Sequence, residues 1–250
     1  MVRLLIVGDV GGCADQLQRV VLPALDDPDT VVIQVGDLID RGPDSAGVLA
    51  IVREHLPTGR WIQLIGNHEA QYLGIEPFWP DRIADADADL LRRWWLTDRL
   101  RVACAVRAAD GEEFLVTHAG LTVDAWRDLD EPVTATTAAD LLNTRPEPLL
   151  WHDQGPLWAE AGPHLYGSWL DAPVGPPFGQ IHGHSTIVSY QRRAWACPER
   201  IRARSTVDWD SRHTTTRISG ARFIAIDPKH GRTGASGWAP LILDDAMLLT

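Results

Sequence analysis

Five polar side chains of the kinds that bind metal ions each follow a short apolar run of the sequence. They are Asp9, Asp37, Asn67, His118 and His184. Each alone would fit a turn, a helix cap or a hydrogen-bonded core histidine, but their recurrence in chain order favours a shared site. The carboxyl ends of parallel strands lie along one edge of an open sheet, so these oxygen and nitrogen ligands are expected to converge. Such ligands suit Mn, Fe or Zn.

The elements that would position these residues alternate along the first half of the chain. Short apolar runs rich in β-branched residues are typical of buried strands, and the stretches between them are compatible with helices. Strands are predicted at residues 4–7, 31–35, 61–65, 114–116, 180–181 and 223–226, and helices at 15–25, 45–56 and 87–96. This order predicts an α/β fold with a single domain over residues 1–250.

The later part of the chain is less regular. Residues 146–179 are crowded with Pro and Gly, and residues 205–219 are rich in Thr and Ser. Both segments are predicted to be loops over a surface or a lid.

Composition and charge narrow the possible partners. The chain has 34 acidic and 23 basic residues and a net charge of -11, so a nucleic-acid partner is not expected. Its three cysteines form no C-x-x-C pair, which argues against a disulfide framework or zinc ribbon and favours a cytoplasmic location. The apolar run at residues 4–7 is too short for a signal peptide or a membrane span, so no membrane association is expected.

Two longer motifs surround the candidate ligands and carry a family resemblance. Residues 36–42 read GDLIDRG and residues 66–69 read GNHE, while residues 117–120 read THAG and residues 183–185 read GHS. This combination resembles the calcineurin-like metallophosphoesterases, in the phosphoprotein phosphatase branch that includes bacterial serine/threonine phosphatases and diadenosine tetraphosphate hydrolases. The resemblance runs from Leu4 to about Asp227.

The resemblance implies a four-layer αββα sandwich and two divalent metal ions, with manganese expected and iron or zinc as alternatives. Two such ions about 3.5 to 4 Å apart bind an attacking hydroxide and the phosphoryl oxygens together. By similarity Asp37 would bridge both ions. Asn67, His118 and His184 would complete one site, and Asp9 would belong to the other.

The resemblance also implies catalytic groups beside the metal ions. His68 would be the general acid toward the leaving-group oxygen, oriented by Asp40, and Arg41 would hold the phosphate with its planar fork. From the residues alone, Asp40 and Arg41 could instead form only a local ion pair, and His68 could be only a helix N-terminal residue. The expected reaction is hydrolysis of a phosphomonoester or phosphoanhydride in a small molecule, a nucleotide or a phosphoprotein.

The first motif departs from the family pattern at Gly11. The family usually reads G-D-x-H-G, and its histidine completes the first metal site, whereas this chain reads GDVGG. Three alternatives follow: a water fills the position, a nearby residue substitutes, or the first site is empty and the protein is mononuclear or inactive. The named substitutes are His182, which shares a strand face with His184, and Cys13 in the strand-to-helix turn. His182 could equally hydrogen-bond a ligand or the substrate, and Cys13 could be a buried inert thiol.

A second departure concerns phosphate binding. Relatives commonly carry an arginine after a Leu-Trp pair, but neither Leu-Trp pair of this chain, at 150–151 and 157–158, has one at that place. A preference for a diester or polyphosphate, a reduced activity, or a substitute such as Arg192 or Arg193 would account for the difference. The alternatives to an active enzyme are a noncatalytic metal or nucleotide sensor of the same fold and a protein-interaction module built from residues 146–179.

Eleven tryptophans are many for 250 residues. Several could form a stacking platform for a base or sugar, although packing in the core and at loop edges is the commoner role. The candidates are Trp94, Trp95, Trp151, Trp158 and Trp169.

Overall fold

The computed structural model describes residues 1–230 and 237–249. Its strands are β1 Val2–Val7, β2 Thr30–Gln34, β3 Trp61–Leu64, β4 Leu100–Arg101, β5 Ala103–Arg107, β6 Glu113–Thr117, β7 Gly179–His182, β8 Val188–Ser189, β9 Ala194–Trp195, β10 Ser205–Asp208, β11 His213–Ile218, β12 Ala221–Ala225 and β13 Leu241–Leu248. Its α-helices are α1 Ala14–Val21, α2 Ser45–His55, α3 Asn67–Ala70, α4 Asp85–Leu96, α5 Val123–Asp128, α6 Ala135–Asn143, α7 Gly167–Asp171 and α8 Glu199–Arg202.

The first half-sheet consists of β1 to β4, which run parallel to one another. Apolar residues on one face of these strands, such as Leu5 and Val32, pack against α1, α2 and α4. Asp44 caps α2 by accepting a hydrogen bond from the Gly47 amide at 2.7 Å. The predicted β-α-β-α-β order is confirmed here, with a 3₁₀ turn at Leu22–Asp26 ending the first predicted helix early.

The second half-sheet has the strand order β10-β11-β12-β7-β6-β5. Strands β6, β7 and β12 are parallel, and the others pair antiparallel. Helices α5, α6 and α7 cover its outer face. Trp126 and Trp169 are buried in that layer, with their ring centroids 5.5 Å apart.

Strand β13 joins the two half-sheets. Its first part pairs with β1 and its last two residues pair with β5, so the described residues form one continuous 11-stranded order. The half-sheets pack face to face through residues such as Ile6, Ile33, Val116 and Ile181. The layers are therefore helix, sheet, sheet, helix, which confirms the α/β sandwich while showing that its two sheets share a strand.

The loop prediction for residues 205–219 is wrong, because β10 and β11 form an antiparallel pair there. Thr214, Thr216 and Ile218 are buried at every second position of β11, while Arg217 between them is exposed. Thr is β-branched and fits a half-buried strand, so the polar composition concealed a period of two. Residues 146–179 are irregular as expected but also contain a π-helical turn, Ala161–Tyr166, and α7.

No helix among residues 1–230 and 237–249 combines the length and the apolar character needed to cross a membrane.

Candidate active site

The predicted ligands come together at the ends of strands from both half-sheets. Asp9, Asp37 and Asn67 follow β1, β2 and β3, whereas His118 and His184 follow β6 and β7. The five residues were expected at one sheet edge, but they lie at the edges of two half-sheets that face-to-face packing brings together. All five side chains are buried except that of His184, which is partly exposed.

The centre of the site is a group of electron-pair donors facing one another. His118 donates a hydrogen bond from Nδ1 to the Val35 carbonyl at 3.0 Å. Burial lowers the pKa of His118, so the neutral ring turns its Nε2 lone pair toward Asn67 Oδ1 at 3.0 Å and Asp37 Oδ1 at 3.4 Å. His184 adds Nδ1 at 3.1 Å from the same Asn67 oxygen.

This arrangement fits a divalent cation, because the acceptors have no proton to share among themselves. Burial lowers the pKa of His184 to about 3, so this imidazole is also neutral. Ligand atoms of Asp9, Asp37 and His118 lie within 4.8 Å of one another. The residues of this position therefore fit the metal that the resemblance implies.

Asp37 is the charged centre of the group. Burial alone would raise its pKa, but neighbouring positive charges, those of His68 and Arg41 among them, outweigh burial and hold the pKa well below its usual range. The Asp9 carboxyl behaves oppositely, since burial and then the negative charges of Asp227 and Asp37 raise its pKa well above normal. The site thus concentrates negative charge that a cation would offset.

His68 has the geometry of an oriented acid-base group. Its Nδ1 lies 2.7 Å from Asp40 Oδ2, and the Gln71 amide donates to the same oxygen at 2.8 Å. Its Nε2 faces the Arg41 guanidinium at 3.1 Å. Burial would lower the pKa of His68, but the charge of Asp37 and the hydrogen bond to Asp40 together raise it. The ring is therefore held at the edge of the metal position, with Nε2 3.8 Å from Asp37 Oδ2.

Glu69 ties the two long motifs together, a role that sequence reasoning did not assign. Its carboxylate accepts hydrogen bonds from the backbone amides of Asp37 and Leu38 at 2.8 Å, and from Gly66 at 2.9 Å. Burial and the charge of Asp37 raise the pKa of Glu69 to about 7. A side chain at Gly66 would collide with Asp37, so the close approach of the two loops requires glycine there.

The two substitute ligands named from the sequence have other contacts. Both ring nitrogens of His182 are engaged, Nδ1 with the Gly183 carbonyl at 2.9 Å and Nε2 with the Tyr166 hydroxyl at 2.8 Å. The Cys13 thiol is buried 3.6 Å from the Gly11 carbonyl, and burial raises its pKa. These contacts favour hydrogen-bonding and packing roles over metal ligation.

Two residues outside the predicted set reach the site from the segment after β12. Asp227 is fully buried, and Lys229 Nζ lies 3.0 Å from its Oδ2. Lys229 also donates to the His184 carbonyl at 2.9 Å. Asp227 follows an apolar run just as Asp9 does, so the same sequence signal could have identified it.

Aromatic residues line the outer side of His68. The ring centroids of Phe78 and Trp79 lie 5.2 and 5.1 Å from that of His68, and Trp158 lies 5.2 Å from Phe78. We call Phe78, Trp79 and Trp158 the aromatic wall. Beside it, a cleft of about 450 Å³ extends from Asp40 past Trp79.

The other tryptophans and the proposed substitute arginines lie in different surroundings. Trp94 and Trp169 are buried in the two helical layers, and Trp95 packs near Trp151. Arg192 and Arg193 are exposed, and the Arg193 guanidinium lies 5.7 Å from the ring centroid of Trp209.

Comparison with known proteins places these features in a family. The family model for calcineurin-like phosphoesterases matches residues 2–203. The symmetrical bis(5'-nucleosyl)-tetraphosphatase of Pectobacterium carotovorum subsp. carotovorum (strain PC1) is 33% identical over 172 residues, covering 65% of this chain and 54% of that protein. Its counterpart in Yersinia pseudotuberculosis serotype O:3 (strain YPIII) is 34% identical over 173 residues, covering 65% and 53%.

The chain thus matches about half the length of these curated relatives. A solved metallophosphoesterase structure from Sphaerobacter thermophilus is 18% identical, with a TM-score of 0.30, covering 48% of this chain and 47% of that one.

Proposed function

Because the chain belongs to the calcineurin-like phosphoesterase family, we propose that it is a metal-dependent hydrolase of phosphoanhydride bonds in a dinucleoside polyphosphate. The observation that carries this proposal is the group of facing electron-pair donors on Asp37, Asn67 and His118, which suits a divalent cation. The names of the relatives, symmetrical bis(5'-nucleosyl)-tetraphosphatases, support the substrate class. Phosphomonoesters and phosphoproteins are the alternative substrate classes with which a dinucleoside polyphosphate is compared in the test below.

We assign the metal position to Asp37, Asn67, His118 and His184, with Asp9 beside it. A divalent ion held there would offset developing charge on the phosphoryl oxygens and lower the pKa of a nucleophilic water. Manganese is the first ion to test, because mixed carboxylate, amide and imidazole donors suit it. Iron and zinc are the alternatives.

Arg41 and His68 would act on the substrate from the cleft side. The Arg41 guanidinium faces the carboxylates of Asp9 and Asp37, with NH2 3.3 Å from Asp37 Oδ2. Its remaining N–H groups could donate hydrogen bonds to a phosphate. When the attacked phosphorus releases its leaving group, His68 would give the Nε2 proton to the departing oxygen, and Asp40 would hold the ring in place.

The aromatic wall supports a nucleotide rather than a protein substrate. Its rings flank His68, where the leaving half of a dinucleoside polyphosphate would extend, and bases stack on aromatic faces. Trp158 belongs to this wall, while most of the other candidate tryptophans pack in the helical layers.

The noncatalytic alternative has less support, because the acid-base pair of His68 and Asp40 is present with its orienting hydrogen bonds. We further propose that residues 1–250 act as one domain in the cytoplasm, where thiols stay reduced. The three cysteines, Cys13, Cys104 and Cys197, are all unpaired.

The test is product analysis with purified protein, Mn²⁺ and a panel of substrates. The panel contains diadenosine tetraphosphate, an alkyl phosphomonoester and a serine-phosphorylated peptide. Adenosine diphosphate formed faster than phosphate from either ester would support the proposal. Preferred release of phosphate from the peptide would contradict the substrate class, and no metal-dependent product from any substrate would contradict the activity.

A further inference from the structure

The first metal position of this family lacks its imidazole in this chain, and Gly11 stands there instead. Gly11 is buried with a φ of +51°, and a Cβ built on it would lie 3.6 Å from the Cβ of Arg41. The two substitutes named from the sequence do not replace the missing ligand, because His182 uses both ring nitrogens elsewhere and Cys13 contacts a carbonyl. Neither of these two residues therefore supplies the ligand that the family pattern places at the first position.

Three carboxylates remain on this side of the site. Asp9, Asp37 and Asp227 are at most 1% exposed. Gly8 lies so close to the Ile226 carbonyl that any side chain on Gly8 would collide with its oxygen. This close approach of the two strand ends sets Asp227 beside Asp9. Buried carboxylates need a compensating charge close by.

Two side-chain cations supply that charge. Arg41 NH1 lies 3.7 Å from Asp9 Oδ2, and its NH2 lies 3.3 Å from Asp37 Oδ2. Lys229, the only lysine of the chain, lies 3.0 Å from Asp227 and is anchored by the His184 carbonyl. Its side chain is 44% exposed, so the ammonium covers the carboxylates from the solvent side.

We propose that Lys229, together with Arg41, takes the place of the first metal ion, so that the protein holds one divalent ion per chain. Two monovalent side chains carry the same charge as one divalent ion, and they contact the carboxylates that such an ion would bind. The proposal rests on the proposed function only in taking the position of Asp37, Asn67, His118 and His184 as a metal site.

The experiment counts bound ions. The full chain is loaded with excess Mn²⁺, free ion is removed, and manganese per chain is measured by elemental mass spectrometry. The proposal expects one ion per chain, with the electron paramagnetic resonance spectrum of an isolated Mn²⁺. Two ions per chain, or the spectrum of a coupled pair, would overturn it, as would no bound ion at all. This count needs no variant and so does not depend on how a variant folds.

Two variants isolate the role of the lysine. Lys229→Ala removes the cation next to Asp227 and should raise the count toward two at the same Mn²⁺ concentration. Lys229→Arg keeps the charge and should stay at one. If Lys229→Ala folds, by circular dichroism, and still binds one ion, the lysine does not replace the metal.

Failure of this inference differs from failure of the proposed function. A chain that binds one ion but hydrolyses none of the substrates contradicts the proposed function and leaves the inference standing. A chain that binds two ions and hydrolyses diadenosine tetraphosphate contradicts the inference and supports the proposed function.

Discussion

Asp40 and His68 form a 2.7 Å contact between Oδ2 and Nδ1 that fixes the imidazole against the metal position. Gln71 donates to the same oxygen, and Ser45 Oγ accepts the Asp40 backbone amide at 3.0 Å. The carboxylate is therefore held by His68 and Gln71, and the backbone of Asp40 by Ser45, before any substrate binds. As a consequence, Nε2 of His68 is directed at Arg41 and Asp37, at distances of 3.1 and 3.8 Å.

Asp40→Asn should lower kcat by about 10- to 100-fold and move the alkaline limb of the pH–rate profile to lower pH. The carboxylate stabilises the protonated imidazole, so its removal lowers the pKa of His68 and the acid form is lost earlier as pH rises. The measurement is kcat against pH for diadenosine tetraphosphate. Asp44→Asn, a cap substitution in the same loop, is the matched control and should keep the wild-type profile. An unshifted limb in Asp40→Asn would refute the orienting role.

His68→Asn should slow the hydrolysis of an alkyl phosphomonoester more than that of a phosphoanhydride. An alkoxide leaving group needs a proton from the acid, whereas a nucleoside diphosphate leaves with less help, so losses of about 10³-fold and about 10-fold are expected. The comparison is kcat for the two substrates at one pH, with His55→Asn, at the end of α2, as the control. Equal losses for both substrates would argue against proton donation by His68.

The sequence predicted the first half of the fold well, because β-α-β units are local and their apolar runs are short and regular. Strands β1 to β3 and helix α2 lie within two residues of their predicted bounds. The shared strand β13 was not predicted, since its burial alternates weakly and its partners β1 and β5 are far away in sequence. Pairing across such distances leaves no local pattern.

The candidate ligands could be predicted because each follows an apolar run or belongs to a motif. Lys229 lies in none of these motifs, and Glu69 ends the GNHE motif without any pattern that indicates its contacts. Lys229 acts through an ion pair with Asp227, and Glu69 through backbone amides of a loop 31 and 32 residues earlier. Both contacts depend on how separate loops pack, which residue type and spacing do not reveal.

Trp79→Ala should raise KM for diadenosine tetraphosphate by about 10-fold and leave KM for inorganic tripolyphosphate nearly unchanged. Stacking of a base on an aromatic ring contributes about 1–3 kcal/mol, and tripolyphosphate has no base to stack. Steady-state kinetics on both substrates measure the difference. Trp151→Ala, outside the aromatic wall, is the control. A similar KM increase for both substrates would show that Trp79 does not contact a base.

His182 should make the folded protein less stable as pH falls. Burial lowers its pKa to about 4 from the ordinary 6.5, so between these values the unfolded chain binds more protons than the folded one. The contribution of neutral His182 to the free energy of unfolding is fully present above pH 6.5. It falls by about 3 kcal/mol as the pH is lowered toward 4.

Urea unfolding at a series of pH values tests this contribution. Between pH 4 and 6.5, the slope of the unfolding free energy against pH measures how many protons the chain takes up on unfolding. His182→Gln should reduce that number by up to about one, whereas His152→Gln, at an exposed position, should leave it unchanged. The remaining slope comes from the other buried histidines, such as His118 and His184. A slope unchanged by His182→Gln would contradict the neutral state assigned to this ring.

The most direct test of the account is the effect of Asp37→Asn on metal-dependent hydrolysis. Asp37 is the buried carboxylate that faces His118, His68 and Arg41, so the account predicts a loss of at least about 100-fold in Mn²⁺-dependent cleavage of diadenosine tetraphosphate, together with loss of bound manganese. The measurement compares the variant with the wild type at saturating Mn²⁺, after circular dichroism has shown that both are folded. Unchanged Mn²⁺-dependent cleavage by Asp37→Asn would contradict the account.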